Sequence, residues 1–148
     1  MSGSTVTLRP GVPADVPAVL DFWRVAAEDA HRPADDAGMV TRLIERDPDA
    51  LLLAECADGI VGSLIAGWDG WRFHLYRLAV HPAHRGLGIA RRLADQAERR
   101  FAEHGATRAD AMVLAGNELA HRFWSANGYT PQAEWRRWVK YLDPGREN

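Results

Sequence analysis

The residues best placed to do chemistry in this sequence form a short run in which Arg85 stands beside two glycines, Gly86 and Gly88. An apolar segment, residues 78–80, precedes the run, and a helical pattern begins at Ile89. A glycine-rich turn at the start of a helix leaves several backbone N–H groups unpaired at one place, where the helix dipole adds positive charge. Glycines also permit the positive φ and the close approach that such a nest requires. The spacing therefore predicts an anion site, and a phosphate suits it.

Two segments resemble the motifs of one enzyme family. The run from Arg85 to Ala90, Arg-Gly-Leu-Gly-Ile-Ala, resembles the Arg/Gln-x-x-Gly-x-Gly/Ala signature of the GNAT N-acetyltransferases. It matches neither a P-loop nor the dinucleotide-binding fingerprint. The run from Asn117 to Tyr129 resembles the family's Asn-x-x-Ala-x-x-Phe-Tyr-x-x-x-Gly-Phe segment, at about the expected distance downstream. Two motifs in the right order identify the chain as a member of this family.

The resemblance implies a site for acetyl-CoA as cosubstrate and no metal. In this family the fourth and fifth strands splay apart and the pantetheine arm inserts between them. By position, the backbone of Leu78 and Val80 would bind the arm and polarise the thioester carbonyl, and Asn117 would bind the arm or cap the following helix. The residues that the resemblance places at the cosubstrate are Leu78, Ala79, Val80, Arg85, Gly86, Leu87, Gly88, Ile89, Ala90, Arg91, Asn117 and Trp124.

The implied reaction is the attack of a neutral amine on a thioester. An alkylammonium is protonated at neutral pH, so a base or a water chain must remove its proton. Regular alternation predicts that His74, Tyr76, Leu78 and Val80 share one face of a strand. His74 falls where many family members carry a catalytic glutamate, and a free imidazole titrates at about pH 6.5. His74 is therefore the candidate base, directly or through water, with a hydrogen-bonded structural role as the alternative; Tyr76 suits substrate positioning.

Trp124 departs from the family pattern, which most often has a tyrosine there to protonate the leaving CoA thiolate. An indole N–H can donate a hydrogen bond but cannot deliver a proton as a phenol can. Either Ser125, Tyr129 or Tyr76 serves as the acid, or the thiolate leaves without one. Neither Cys56 nor a serine has a paired base visible in the sequence, so we expect direct transfer in a ternary complex rather than an acyl-enzyme.

The implied function is acetyl transfer onto a primary amine of a small molecule or protein. Two alternatives remain at this point: the same fold using a longer acyl-CoA or an O-acceptor, and an acyl-CoA-binding module without catalysis. An acidic cluster could attract a cationic amine, or it could be a solvated helix end and loop. Its members are Glu28, Asp29, His31, Asp35 and Asp36.

The elements that must position these residues follow from apolar periodicity and turn signals. They predict an α/β (α+β) fold, in which a mixed, mostly antiparallel sheet is flanked by helices and a splayed strand pair forms the CoA site, in one domain over residues 1–148. Two Asp-Gly pairs, at 58–59 and 69–70, predict the turns of a three-strand meander. The predicted order is a strand at 6–9, helices at 15–30 and from 35 to 47, the meander over 51–80, a helix from 89, a strand at 106–114, a helix at 118–126, and strands at 129–131 and 134–142.

Composition narrows the class of protein. With 148 residues, of which 47% are hydrophobic, the chain can build its own core. The net charge of −2 argues against general electrostatic nucleic-acid binding. We see neither a secretory signal nor a membrane span, and expect a cytoplasmic protein. Cys56 is the only cysteine, interpreted as a small core or strand residue, with a chemical role as the alternative.

Aromatic and basic residues alternate over residues 134–142. This pattern favours a two-faced edge strand over an RNA-stacking surface, because the chain lacks a wider basic footprint. An aromatic edge strand needs to be covered, so a homodimer is a further expectation.

Overall fold

A sheet whose strands follow chain order forms the centre of the fold. The computed structural model describes residues 5–26 and 35–143. Within them the sheet has five strands: β1 (Thr7–Pro10), β2 (Leu51–Cys56), β3 (Gly59–Trp68), β4 (Phe73–Val80) and β5 (Asp110–Ala111). Neighbouring strands pair antiparallel, except that β4 and β5 are parallel. The α-helices are α1 (Val16–Ala26), α2 (Ala37–Arg46), α3 (Ile89–Glu103) and α4 (Glu118–Ala126). The predicted fold class is confirmed.

Each face of the sheet carries its own apolar core. On one face, α3 buries Leu93 and Phe101 against β2, β3 and β4. On the other face, α1 and α2 bury Val19 and Ile44 against Leu51 and other apolar residues of the sheet. The two cores hold the sheet between helical layers, which is how an amphipathic helix and a sheet bury their apolar faces.

The Asp-Gly turns and the start of α4 match the sequence expectations. Trp68 and Phe73 flank the second turn and stack with ring centroids 5.6 Å apart. The Asn117 side chain accepts the Ala120 N–H at 3.1 Å and caps α4. These features are local, since each depends on residues a few positions apart.

A β-bulge interrupts β4. Ile65 pairs with Tyr76, but Ser63 pairs with Ala79, so β4 has one more residue than β3 between these pairs. Arg77 lies in the bulge. Its φ is 57°, and among the described residues it is the non-glycine residue with a positive φ. The Ser63 hydroxyl donates to the Arg77 carbonyl at 2.8 Å and holds the bulge against β3.

The bulge reverses the facing of the strand, so the predicted common face is wrong. His74 and Tyr76 share one face, with ring centroids 5.9 Å apart. Leu78 and Val80 instead pack into the α3 core, to which Leu75 also belongs. Side chains alternate between the two faces of a strand, so one extra residue moves all later side chains to the opposite face of the sheet.

Two predicted strands are absent from the structure, and a third is much shorter than expected. The apolar run 106–114 forms a strand only over Asp110–Ala111, and residues 129–143 contain no strand. A β-strand is stabilised by backbone hydrogen bonds to a neighbouring strand. Because β5 has only two residues, it is too short for a further strand to pair with it. Trp138 is accordingly 93% exposed.

Some expectations fall on residues 27–34, which lie outside the described ranges. They include the end of the first predicted helix and three members of the acidic cluster, Glu28, Asp29 and His31. Of the other two members, Asp36 caps α2 by accepting the Gly38 N–H at 2.6 Å, and Asp35 pairs with Arg77. Within the described ranges, none of the helices combines the length and apolarity needed to cross a membrane.

Candidate active site

The loop after β4 has the geometry predicted for an anion site. Gly86 and Gly88 have φ values of 80° and 81°, in the left-handed region, and Gly88 directly precedes α3. Among the described residues, and apart from the adjoining ones, no atom lies within 4 Å of the position that a Cβ would take on either glycine. The Arg92 N–H donates to the Gly88 carbonyl at 3.1 Å, which leaves the N–H groups of residues 89–91 without intrahelical acceptors. The backbone here offers donors to open space.

A compact turn, Pro82–His84, holds the loop at the end of β4. The His84 N–H donates to the His81 carbonyl at 2.8 Å, and the Ala83 N–H donates to His81 Nδ1 at 3.1 Å. Arg85 Nε donates to the Val80 carbonyl at 3.2 Å. The charge of Arg85 is therefore tied to the end of β4 beside the loop. Arg91, one turn into α3, faces Asp95 at 3.5 Å.

β4 and β5 pair over a short distance and then separate. His74 pairs with Asp110 and Leu75 with Ala111, and the Met112 N–H donates to the Leu75 carbonyl at 2.9 Å. Beyond this bond, the two strands make no further pairing in the part of the chain that the structure describes. One side of the backbone of residues 76–80 therefore faces the gap between the two strands. Backbone N–H and C=O groups on such an edge can pair with an extended ligand.

His74 lies at the point where the strands diverge. Its Nδ1 atom is 3.9 Å from Asp110 Oδ2, and both side chains are about one-fifth exposed. His74 Nδ1 is buried and lacks a hydrogen-bond partner among the described residues. Asp110 Oδ1 also accepts Arg108 Nε at 2.7 Å. Asp110 thus places a carboxylate on the Nδ1 side of the imidazole, at a distance longer than a hydrogen bond.

Sequence reasoning missed Asp110. An acidic residue inside the apolar run 106–114 was the available signal, because a carboxylate on a half-buried strand needs a partner. Tyr76 lies beside His74, and burial raises the pKa of its phenol, an effect that the Arg137 guanidinium partly offsets. Tyr76 therefore stays neutral at physiological pH and can donate a hydrogen bond.

The two aromatic residues near the end of α4 are occupied by structural contacts. Trp124 is 6% exposed and makes an edge contact with Tyr129, with ring centroids 4.7 Å apart. The Tyr129 hydroxyl donates to Glu98 Oε2 at 2.7 Å, and burial together with this bond raises the pKa of Tyr129. Tyr129 is therefore a poor proton donor. The cosubstrate role of Trp124 stays a prediction.

Two surface cavities, of about 380 and 300 Å³, lie along α3 rather than at this loop. Gln96 and Arg99 line both of them. Neither is lined by His74 or by residues 85–88.

Comparison with known proteins agrees with this geometry. Residues 18–129 match the model of the acetyltransferase (GNAT) family. An acetyltransferase of Sodalis glossinidius is 37% identical over 119 residues, which cover 80% of this chain and 82% of that protein.

Two solved structures resemble the fold. The PaiA N-acetyltransferase of Thermoplasma acidophilum, in complex with coenzyme A, superposes with a TM-score of 0.77 at 16% identity, over 86% of this chain and 91% of the other. The diaminobutyrate acetyltransferase EctA of Paenibacillus lautus, in complex with L-2,4-diaminobutyric acid and coenzyme A, gives a TM-score of 0.73 at 21% identity, over 84% and 75% of the two chains. On the strength of the family match and of the curated relative, this chain belongs to the GNAT acetyltransferase family.

Proposed function

We propose that this acetyltransferase uses acetyl-CoA to acetylate a primary amine of a small molecule or protein, by direct transfer in a ternary complex. The observation that carries the proposal is the loop at residues 85–90, whose free backbone donors lie at the end of the β4 edge that faces the gap. The His74–Asp110 pair lies at the other end of that edge. A base, an extended backbone edge and an anion site thereby follow one another along β4 and the loop after it.

The loop fits the pyrophosphate of acetyl-CoA. The N–H groups of residues 89–91 and the positive end of α3 favour negative charge, and Arg85 adds a full charge beside them. The exposed edge of residues 76–80 offers the backbone of Leu78 to the amide groups of the pantetheine arm. The backbone of Val80 is the second candidate, although its carbonyl already accepts Arg85.

In the proposed reaction the amine nitrogen attacks the thioester carbonyl carbon, a C–N bond forms and the C–S bond breaks. The amine proton passes to His74 Nε2, directly or through water, and the nearby Asp110 carboxylate stabilises the positive charge that the ring gains. Such a base contributes roughly 10²- to 10⁴-fold to the rate. Tyr76 donates its hydroxyl to substrate. The CoA thiolate leaves without a dedicated protein acid, because Tyr129 is committed to Glu98 and thiolates are tolerable leaving groups.

Thiol release from acetyl-CoA tests this proposal, with a panel of polyamines, amino acids, aminoglycosides and peptides as acceptors. We expect turnover that depends on one amine class and falls when the acyl chain is lengthened. Turnover only with alcohols, or with longer acyl chains, would contradict the proposed substrates. Acetyl-CoA binding without turnover for any acceptor would replace catalysis by a binding role.

A double-mutant cycle tests the proposed base. We expect His74→Gln to lower kcat roughly 10²-fold or more and to remove the acidic limb of the pH–rate profile. Asp110→Asn acts through the ring, so it should add little in the His74→Gln background. His104→Gln is the matched control, because His104 stacks on Trp68 instead. Fully additive losses, or an unchanged pH profile in His74→Gln, would refute this role.

A further inference from the structure

Three potential metal ligands meet at the β2–β3 turn. Cys56 Sγ lies 3.9 Å from His84 Nε2, and the same nitrogen lies 3.6 Å from Asp58 Oδ2. All three donor atoms lie within 4.8 Å of one another. Cys56 ends β2, Asp58 is in the turn, and His84 arrives from the Pro82–His84 turn. A sulfur, an imidazole nitrogen and a carboxylate oxygen converge on one point.

We propose that Cys56, Asp58 and His84 bind a zinc ion. Thiolate, imidazole and carboxylate are the three ligand types that zinc takes in proteins. With ordinary bond lengths, a tetrahedral zinc ion places sulfur and nitrogen about 3.6 Å apart, and nitrogen and oxygen about 3.4 Å apart. The observed sulfur–nitrogen and nitrogen–oxygen distances exceed these by a few tenths of an ångström, and the sulfur and the Asp58 oxygen lie within 4.8 Å of one another. Small side-chain rotations close this difference, because Asp58 is exposed and lies on a turn.

Two features of the surroundings concern the cysteine and the histidine. The Asp58 N–H donates to Cys56 Sγ at 3.4 Å, and a bond donated to sulfur stabilises negative charge on it. His84 Nδ1 is buried and has no hydrogen-bond partner among the described residues. Nε2 is therefore the ring nitrogen that faces the other two donor atoms.

Zinc binding at this site releases the thiol proton of Cys56 to solvent, and the thiolate, the imidazole and the carboxylate become ligands. The fourth tetrahedral position is left to water. The ion would join the β2–β3 turn to the residue that directly precedes Arg85. It would thus brace the base of the loop described above, although the zinc site does not depend on the function proposed for that loop.

Direct titration of the chelator-treated full chain with zinc tests the inference. We expect one zinc ion per chain by calorimetry and a higher Tm with zinc. Cys56→Ser and His84→Gln should each weaken binding by more than the roughly 10- to 100-fold loss typical of a missing second-shell partner. His104→Gln, which changes a histidine outside the cluster, should bind zinc as the wild type does.

Cobalt identifies the ligands independently of activity. We expect Co²⁺ to give a thiolate-to-metal charge-transfer band in the wild-type chain and none in Cys56→Ser. Zinc binding that is equal in wild type, Cys56→Ser and His84→Gln would overturn the inference, as would the absence of the charge-transfer band from the wild type. Because both readouts use metal alone, a failure of acetyl transfer affects neither.

Discussion

Substitutions at two glycines, one at each end of α3, distinguish the effect of backbone strain from the effect on anion binding. Gly88, with φ 81°, precedes the helix, and Gly105, with φ 86°, follows it. In the part of the chain that the structure describes, a Cβ on either would meet no atom within 4 Å apart from the adjoining residues. Alanine at either position therefore introduces left-handed strain without a clash, at a cost of about 1–2 kcal/mol. In a chain of this size, we expect each variant to lose roughly 2–8 °C in Tm.

Only Gly88→Ala should also weaken acetyl-CoA binding. Alanine favours negative φ, and the rotation turns loop N–H groups away from the anion. Losing one hydrogen bond to a charged group costs about 1.5–3 kcal/mol, which corresponds to a roughly 10- to 150-fold higher Kd.

Calorimetry with acetyl-CoA and thermal unfolding of wild type, Gly88→Ala and Gly105→Ala measure the two effects separately. We expect similar Tm losses in the two variants and a raised Kd in Gly88→Ala alone. Equal Kd values in all three chains would refute the assignment of the loop as the anion site. A raised Kd in both variants would show that helix stability, and not the loop N–H groups, controls binding.

Other side chains give sharp tests of the structure. Ser63→Ala should lower the free energy of unfolding, measured in urea, by about 1–3 kcal/mol. The buried Ser63 hydroxyl accepts the indole N–H of Trp23 at 2.9 Å and holds the β4 bulge. An unchanged free energy of unfolding would contradict this role. The hydrogen-bonded Arg9 guanidinium holds the pKa of Asp15 below its usual range. This carboxylate therefore stabilises the fold at pH values above its unfolded pKa of about 3.9. The stabilisation is lost as the pH falls through the lower pKa of the folded state. Asp15→Asn should therefore be less stable than wild type at pH 7 but converge with it in acid, whereas Asp21→Asn, in an exposed pair, should match wild type throughout. Tyr129→Phe should lose about 0.5–1.5 kcal/mol of stability with kcat near wild type; a roughly 10²-fold fall in kcat would make this tyrosine the missing acid.

Local chemistry explains which elements were predictable. The Asp-Gly turns, the Asn117 cap and the Gly86–Gly88 loop depend on backbone conformations that few residue types adopt. A short stretch of sequence therefore specifies each of them. The order of strands and helices also followed from apolar periodicity, except in the C-terminal part of the described chain, where the predicted strands have no neighbour to pair with. Residues 134–142 have the alternating composition of a strand, but no neighbouring strand is available for them to pair with.

The tertiary structure decided the facing and the pairing of functional side chains. The β4 bulge has no signature in residues 73–80, since it depends on how β4 pairs with β3 and on the hydroxyl of Ser63. It separates His74 and Tyr76 from Leu78 and Val80, which regular alternation would place together.

The sequence by itself determined the family, the glycine-rich loop and the helix that the loop begins, because motif spacing and turn chemistry act over a few residues. Only the tertiary structure brought Asp110 to His74 across two strands, and Cys56 to His84, which lie 28 residues apart in the chain. Contacts of this kind depend on strand register and on the packing of separate elements. No local pattern encodes those distances, so the partner of the proposed base and the proposed zinc site became visible only in the folded chain.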